Sequence, residues 1–365
     1  MKIIQDRKLG FDDVFIVPQR TTLNSRNNVE LERTFKFYHS TRTWTGIPII
    51  CSNMVPIANF TLANALNKHK MVTCLHKYYT LSELAQFFQT KGSIEYNWVS
   101  IGYGEEDHQK VYELTGILGT APNLCIDVPN AYMECFVKFC KQVRSSLPHA
   151  IILAGNVCTS GMAQELIIHG GVDIIKTGIS QGSCCQTSQV AGVGYPQLSA
   201  VIECSQAVHG LKSNDKQLGL ICSDGGCKTP GDICKSLCGG ADFTMLGGMF
   251  AGVEECEGIW TYESNHSLYS YDGIKKQMVK KEFTEQKKKS LKFYGMSSHY
   301  AQEQHGNGKK NYRASEGKIS EVPYKGPIDN VVQEICGGIR SCCTYIGAQS
   351  LKDMSKCGQF CRISK

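Results

Sequence analysis

Gly178 to Gln197, reading G-I-S-Q-G-S-C-C-Q-T-S-Q-V-A-G-V-G-Y-P-Q, gathers the residue types best suited to covalent chemistry. It follows an apolar run, Val172 to Lys176, and sets two adjacent thiols, Cys184 and Cys185, beside Thr187 among four glycines. A glycine-rich loop leaving a buried strand brings backbone dipoles and a thiol close to a ligand. Nearby N–H donors or a helix N-terminus lower a thiol's pKa and make it a nucleophile. The same residues also read as small buried hydrophobes, the ordinary fate of cysteine in a chain with 19 of them.

Three further groups carry possible chemistry. Tyr312-Arg-Ala-Ser-Glu-Gly-Lys318 is too polar for a core, so it is either a solvated turn or a flap bringing the Glu316 carboxylate and a cation over a site. Gly225-Gly226 after Ser223-Asp224, and Gly247-Gly248 after Leu246, would let backbone amides approach a phosphate. A helix starting near Thr229-Pro230 would aim its dipole there, and Asp224 sits where a ribose hydroxyl could be gripped. Each glycine pair taken alone also reads as a plain tight turn. Cys222, Cys227, Cys234 and Cys238 lack paired C-x-x-C spacing and a histidine, so they read as separate thiols near a strand and the next helix rather than a zinc site.

The elements that must position these groups recur from Ile49 onward as a short apolar strand followed by a segment of helical period. The pattern predicts strands over Ile49 to Ser52, Met71 to Leu75, Trp98 to Ile101, Leu124 to Val128, Ala150 to Ala154, Val172 to Lys176, Leu218 to Ser223 and Phe243 to Leu246. It predicts helices over Asn59 to His69, Leu81 to Phe88, Glu106 to Leu118, Ala131 to Ser146, Ser160 to Gly170, Gln197 to His209 and Pro230 to Gly239. Strand–helix alternation of this length predicts the α/β class and a single closed (β/α)8 TIM barrel over 1–365, with the site at the C-terminal ends of the strands. No strand is followed by G-x-G-x-x-G, which argues against an open doubly wound sheet. Ala251 to Ser290, polar and lysine-rich, reads as a flexible surface insertion. The tail is read as a helix over Asp329 to Cys336, then Gly337-Gly-Ile-Arg-Ser-Cys-Cys-Thr344, closing the barrel.

Composition sets the bounds. With 42% hydrophobic and 20% charged residues in 365, the chain is ordinary globular protein with length for a large core. The net charge of +6 owes much to one run, Lys275 to Lys292, which reads as a solvated face and not a nucleic-acid platform. The N-terminus lacks a signal peptide's apolar core, and no run is long enough for a membrane span, so a cytoplasmic protein is expected. An odd cysteine count in that compartment argues against a disulfide framework.

Together, Gly182-Ser-Cys-Cys-Gln-Thr187, Gly192-Val-Gly-Tyr-Pro-Gln197, Ser223-Asp-Gly-Gly-Cys227, Met245-Leu-Gly-Gly-Met-Phe250, Tyr294-Gly-Met-Ser-Ser298 and Tyr312-Arg-Ala-Ser-Glu-Gly-Lys318 closely resemble the GMP reductase branch of the IMP dehydrogenase and GMP reductase family. The resemblance runs from Lys8 to Gly347. It implies NADPH-dependent reductive deamination of GMP to IMP and ammonia through a cysteine thioimidate. Cys185 matches the nucleophile, Thr187 and Glu316 the pair that moves a proton to the leaving amine. Asp224, Gly225 and Gly226 match the ribose and phosphate site, Gly247 and Gly248 the phosphate site. Gly295, Met296, Ser297, Arg313, Ala314, Ser315 and Gly317 match positions around the base and phosphate. For NADPH the matching positions are Ser25, Arg26, Lys77, Asp127, Val128, Pro129, Met296, Tyr312, Ser341, Cys342, Cys343 and Thr344. Carbonyls of the catalytic loop at Ser180, Gly182, Cys185 and Ser188 match a potassium site. A mobile catalytic loop and flap, and a homotetramer, are also implied.

The IMP dehydrogenase branch typically inserts two small domains after the second barrel strand, and the passage from Lys77 to Trp98 has no room for them. The chain departs from the family pattern at Val55, Ser180, Gln181, Gln186 and Ser188, where aspartate, glycine, proline, threonine and arginine are usual. Two readings therefore stand side by side: an active reductase, and a barrel that binds a purine nucleotide or joins a family oligomer without turnover.

Overall fold

Eight short parallel strands close on one another. The computed structural model describes residues 3–263, 266–272, 277–283, 287–305 and 314–363. The strands are β1 (Ile49–Cys51), β2 (Val72–Leu75), β3 (Asn97–Ile101), β4 (Leu124–Asp127), β5 (Ile152–Val157), β6 (Ile174–Thr177), β7 (Leu220–Asp224) and β8 (Phe243–Leu246). Neighbours pair in that order, and β8 returns to β1 with Thr244 opposite Ile49 and Leu246 opposite Cys51. The barrel expected from strand–helix alternation is therefore the fold. Its strands read as apolar runs rather than alternating ones because both faces are covered; every residue of β2 and β8 is buried.

The helices lie outside: α1 (Phe60–Asn67), α2 (Leu81–Thr90), α3 (Glu105–Leu118), α4 (Glu134–Ser146), α5 (Ser160–Ile168), α6 (Gln197–His209), α7 (Pro230–Cys238) and α8 (Ile328–Ile346). Their starts follow local chemistry: Thr80 and Glu83 form a capping box on α2, as do Thr229 and Asp232 on α7. At the N-terminal end of the strands, a hairpin of Arg33–Lys36 and Thr43–Gly46 plugs the barrel. Phe35 stacks on Phe243 with ring centroids 4.6 Å apart, and Trp44 and Trp98 fill the same layer. The opposite mouth is left for chemistry. Among the described residues no helix is long and apolar enough to cross a membrane.

Two expectations are corrected. Helix α8 does not stop at Cys336 but runs on through Gly337-Gly338 to Ile346. A Cβ at Gly338 would lie 2.4 Å from Cβ of Pro230, so that glycine serves close packing of α8 on α7 and is not a break. The 251–290 segment, read as a surface loop, contains β-structure. Lys287–Tyr294 pairs antiparallel with both Trp260–Glu263 and Ile319–Pro323, and His266–Asp272 pairs with Gln277–Phe283. Its lysines disguised this: Lys287 and Lys289 are exposed, while Ser290, Leu291, Phe293 and Tyr294 of the same strand are buried.

Candidate active site

Three segments meet above the C-terminal ends of the strands: the loop after β6, the turn after Lys287–Tyr294, and the residues entering Ile319–Pro323. Backbone hydrogen bonds join them side by side. The amide of Gln186 donates to the Glu316 carbonyl at 2.7 Å, that of Lys318 to the Cys184 carbonyl at 3.0 Å, and that of Gly295 to the Lys318 carbonyl at 3.1 Å. The thiols of Cys184 and Cys185 leave this turn in different directions. Cys184 is 4% exposed and belongs to the outer core with Leu291 and Phe293; burial pushes its thiol pKa up. Cys185 is half-buried, with Sγ 3.2 Å from Thr187 Oγ1. The Thr187 hydroxyl donates to Glu316 Oε2 at 2.8 Å, which leaves its lone pairs to accept from the thiol. A thiol, a hydroxyl and a carboxylate thus form one continuous proton path.

The glycines at 295 and 317 make this meeting possible. A Cβ on Gly317 would sit 2.7 Å from the Ser298 amide nitrogen, and one on Gly295 would sit 2.9 Å from the Cys184 carbonyl oxygen. Gly317→Ala is expected to spread the segments, pull Glu316 from Thr187 and lower turnover about 10²-fold, with little change in melting temperature. Steady-state kinetics beside a thermal melt checks this; unchanged turnover would mean that the contact is slack. Ser315 pins the same turn, accepting from the His299 amide at 3.2 Å and donating to the Gly317 carbonyl at 3.0 Å. Ala314 and Ser297 are exposed and Met296 is half-buried nearby. Tyr312 and Arg313 lie outside the described residues.

The loop after β6 bends at Ser180, whose φ of 68° is a left-handed conformation favouring glycine. The serine offsets the strain locally, because its Oγ accepts from the Ser188 amide at 2.7 Å. Ser180→Gly removes strain of about 1 kcal/mol and a hydrogen bond of similar worth. The unfolding free energy from a denaturant titration is therefore expected to change by less than about 1 kcal/mol, with turnover nearly unchanged. A rise of orders of magnitude would show that the serine displaces the loop.

Gly225 and Gly226 both hold positive φ, 93° and 82°, and the Gly226 amide donates to the Gln181 carbonyl at 2.8 Å, tying this turn to the cysteine loop. A Cβ on Gly248 would lie 3.0 Å from Ser183 Oγ, so Gly182-Ser183, Gly225-Gly226 and Gly247-Gly248 line one mouth. The amides of Gly248 and Met249 make no backbone hydrogen bond among the described residues, while Lys325 Nζ holds both their carbonyls at 3.0 Å. The start of α7 is already capped from within, which counts against the expectation that it faces a phosphate. Asp232 Oδ2 already accepts from the amides of Lys228 at 3.0 Å and Thr229 at 3.1 Å, and a carboxylate there repels an anion.

Beneath the mouth lies a network that sequence reasoning missed. Lys176, 3% exposed at the end of β6, places Nζ 2.6 Å from Asp127 Oδ1 and 2.7 Å from Asp224 Oδ2. Asn156 Nδ2 donates to the same Asp224 oxygen at 2.8 Å, and Asn53 Nδ2 donates to Asp127 Oδ2 at 3.0 Å. Burial alone would lower the Lys176 pKa, but the two carboxylates hold it well above the usual lysine value. Burial works against the Asp127 carboxylate too, and Lys176 with Asn53 brings it below the usual aspartate value. Both groups therefore stay charged through the neutral range. The one signal in the sequence was a charge ending an otherwise apolar strand.

The residues matched to a nicotinamide cofactor fall in two places. Lys77, Val128 and Pro129 follow β2 and β4, and Asp127 ends β4, at the same mouth, although the Val128 side chain is buried and only its backbone is presented. Ser25, Arg26 and Thr344 instead line a separate cavity of about 370 Å³ with Pro18, Gln19 and Tyr345. The start of α8 is tied to the barrel mouth, its Ile328 amide donating to Glu255, and Thr344 lies 16 residues further on, about 24 Å along the helix. Within one protomer the two groups do not converge. Ser341 and Cys342 are half-buried in the same last turns, whereas Cys343 is fully buried and, as a correction, presents no side chain to a ligand.

For potassium, the Ser180 and Cys185 carbonyls accept no backbone hydrogen bond among the described residues, while the Gly182 carbonyl accepts one from the Cys185 amide at 3.0 Å. Ser180 follows the backbone path a glycine would take.

Comparison with known proteins adds an independent line. A family model described as the IMP dehydrogenase / GMP reductase domain matches residues 8–365. A GMP reductase of Photobacterium profundum is 45% identical over 367 residues, covering 100% of this chain and 97% of the relative. GMP reductases of Buchnera aphidicola subsp. Schizaphis graminum and Serratia proteamaculans match at 46% and 44% identity with the same coverage.

Proposed function

The chain belongs to the IMP dehydrogenase / GMP reductase family, and from that premise we propose that it is an NADPH-dependent GMP reductase working through a covalent intermediate on Cys185. The observation that carries this reading is the unbroken path from the Cys185 thiol through the Thr187 hydroxyl to the Glu316 carboxylate. Glu316 draws the thiol proton through Thr187, and the thiolate electron pair forms a bond to purine C2. The same relay returns the proton to the exocyclic amine, so that the C2–N bond breaks and ammonia leaves a thioimidate. NADPH, when bound, supplies the hydride that completes the chemistry. When C2 becomes bonded to hydrogen, the C–S bond breaks, its electrons return to Cys185, and IMP is released. Asp224 grips the ribose, and the glycine pairs with the amides of Gly248 and Met249 hold the phosphate.

Lys77, Asp127 and Pro129 would hold the nicotinamide end of the cofactor. Ser25, Arg26 and Thr344 stand at the far end of α8, so they would serve the cofactor of a neighbouring copy. That division supports a homo-oligomer, a tetramer by resemblance. A potassium ion on the carbonyls of Ser180, Gly182, Cys185 and Ser188 would stiffen the loop. The IMP dehydrogenase alternative is disfavoured because β2 passes to β3 through α2 alone, without inserted domains. Absorbance at the nicotinamide band tests the proposal: GMP-dependent NADPH oxidation with release of IMP and ammonia is expected. Reduction of NAD by IMP, or no reaction with a nucleotide that still binds, would overturn it.

A further inference from the structure

Lys176 is an expensive residue where it stands. Barrel interiors are ordinarily filled by branched aliphatic side chains, and a buried ammonium needs full compensation to be tolerated. Here two carboxylates compensate the ammonium, and the arrangement is directional. The lysine side chain is 4% exposed, while its partners remain reachable from the mouth, Asp127 at 31% and Asp224 at 20%. Room for it comes from Gly155 on β5, where a Cβ would lie 2.6 Å from that of Lys176. Lys176 and Asn156 both donate to Oδ2 of Asp224, and Asn156 is itself fixed by donating to the Gly178 carbonyl at 2.7 Å. Two donors on one oxygen lock the carboxylate's rotation. The other oxygen, Oδ1, accepts no hydrogen bond among the described residues and remains for a ligand hydroxyl.

We propose that Lys176 is a positioning residue for ribose recognition: it holds the Asp224 carboxylate, with Asp127 as the balancing charge, so that Asp224 Oδ1 meets the nucleotide's ribose hydroxyls. The inference rests on the assignment of Asp224 to the ribose made above. A purely structural ion pair would have no reason to leave one carboxylate oxygen open to the mouth. A positioning lysine makes ribose discrimination, and not nucleotide binding in general, the property that depends on it.

Calorimetric binding of GMP and of 2′,3′-dideoxyguanosine monophosphate to the full-length protein tests this without requiring turnover. The unaltered protein is expected to prefer GMP by about tenfold or more, the worth of hydrogen bonds to a charged group. Lys176→Met should collapse that preference while affinity for the dideoxy nucleotide changes little. Asp224→Asn should do the same, and the double variant should lose no more than Asp224→Asn alone. If Lys176→Met fails to fold because two carboxylates are left without a cation, Lys176→Met with Asp127→Asn removes the excess charge and is expected to lose the preference too. The proposal is overturned if the preference survives loss of Lys176, if both ligands weaken equally, if the two changes add, or if the unaltered protein shows no preference. Failure of the reductase reading would appear separately, as absent GMP-dependent NADPH oxidation in a protein that still discriminates the two nucleotides.

Discussion

Cys185→Ala is expected to lower GMP-dependent NADPH oxidation by about 10⁴-fold or more while leaving GMP affinity within about threefold. The asymmetry follows from where the thiol stands. Cys185 is the end of the proton path through Thr187 and Glu316, so its loss removes the bond-forming group itself. The phosphate and ribose are held elsewhere, by glycine turns and Asp224, which an alanine at 185 does not disturb. The neighbouring Cys184→Val gives the contrast. Its side chain faces the outer core, so the change is a near-isosteric apolar swap costing less than about 1.5 kcal/mol and sparing turnover. Absorbance kinetics and calorimetric GMP binding on both variants decide the matter. Equal loss of turnover from both would mean that the register of the loop is misassigned, and loss of GMP binding with Cys185→Ala would mean that the thiol holds substrate.

That contrast between neighbours also marks how much was legible in the sequence. Cys185 was told from Cys184 by its spacing from Gly182 and Thr187 in the family pattern, a reading that needs no tertiary information. The barrel was legible for a similar reason: parallel strands covered on both faces write themselves as apolar runs, and Phe243–Leu246 and Gln197–His209 appear with the expected bounds. What stayed hidden depends on partners distant in the chain. Gly337-Gly338 looks like a break until Pro230 is seen against it. Lys287–Tyr294 looks like a solvated lysine run until two flanking strands give it a buried face. Lys176 looks like the frayed end of a strand, and its meaning appears only when Asp127 and Asp224 arrive from β4 and β7. The start of α7 carries the opposite lesson. Thr229 and Asp232 have capping-box spacing, and reading that spacing as occupancy would have removed the helix from the phosphate site.

Glu316→Gln separates the two halves of the proposed reaction. Glutamine keeps the size and shape of the side chain, and the backbone hydrogen bond from the Gln186 amide to the 316 carbonyl is untouched, so the loop and flap stay joined. What is lost is the carboxylate that takes a proton through Thr187 and gives it to the departing amine. Deamination requires that proton, whereas hydride arrival at C2 followed by release of the thiolate requires none. Ammonia release from GMP is therefore expected to fall by about 10² to 10⁴-fold, the usual worth of a positioned acid–base group. Reduction of the thioimidate once it has formed, followed by adding NADPH after preincubation with GMP, starts from a thiol that has already given up its proton and should fall by less than about tenfold. Thr187→Val should reproduce this split, because it cuts the same path at the hydroxyl while preserving volume. If both half-reactions fall together in Glu316→Gln, the carboxylate acts by holding the flap and not by moving a proton; if neither falls, the proton reaches the amine by another route and the Cys185–Thr187–Glu316 path is structural.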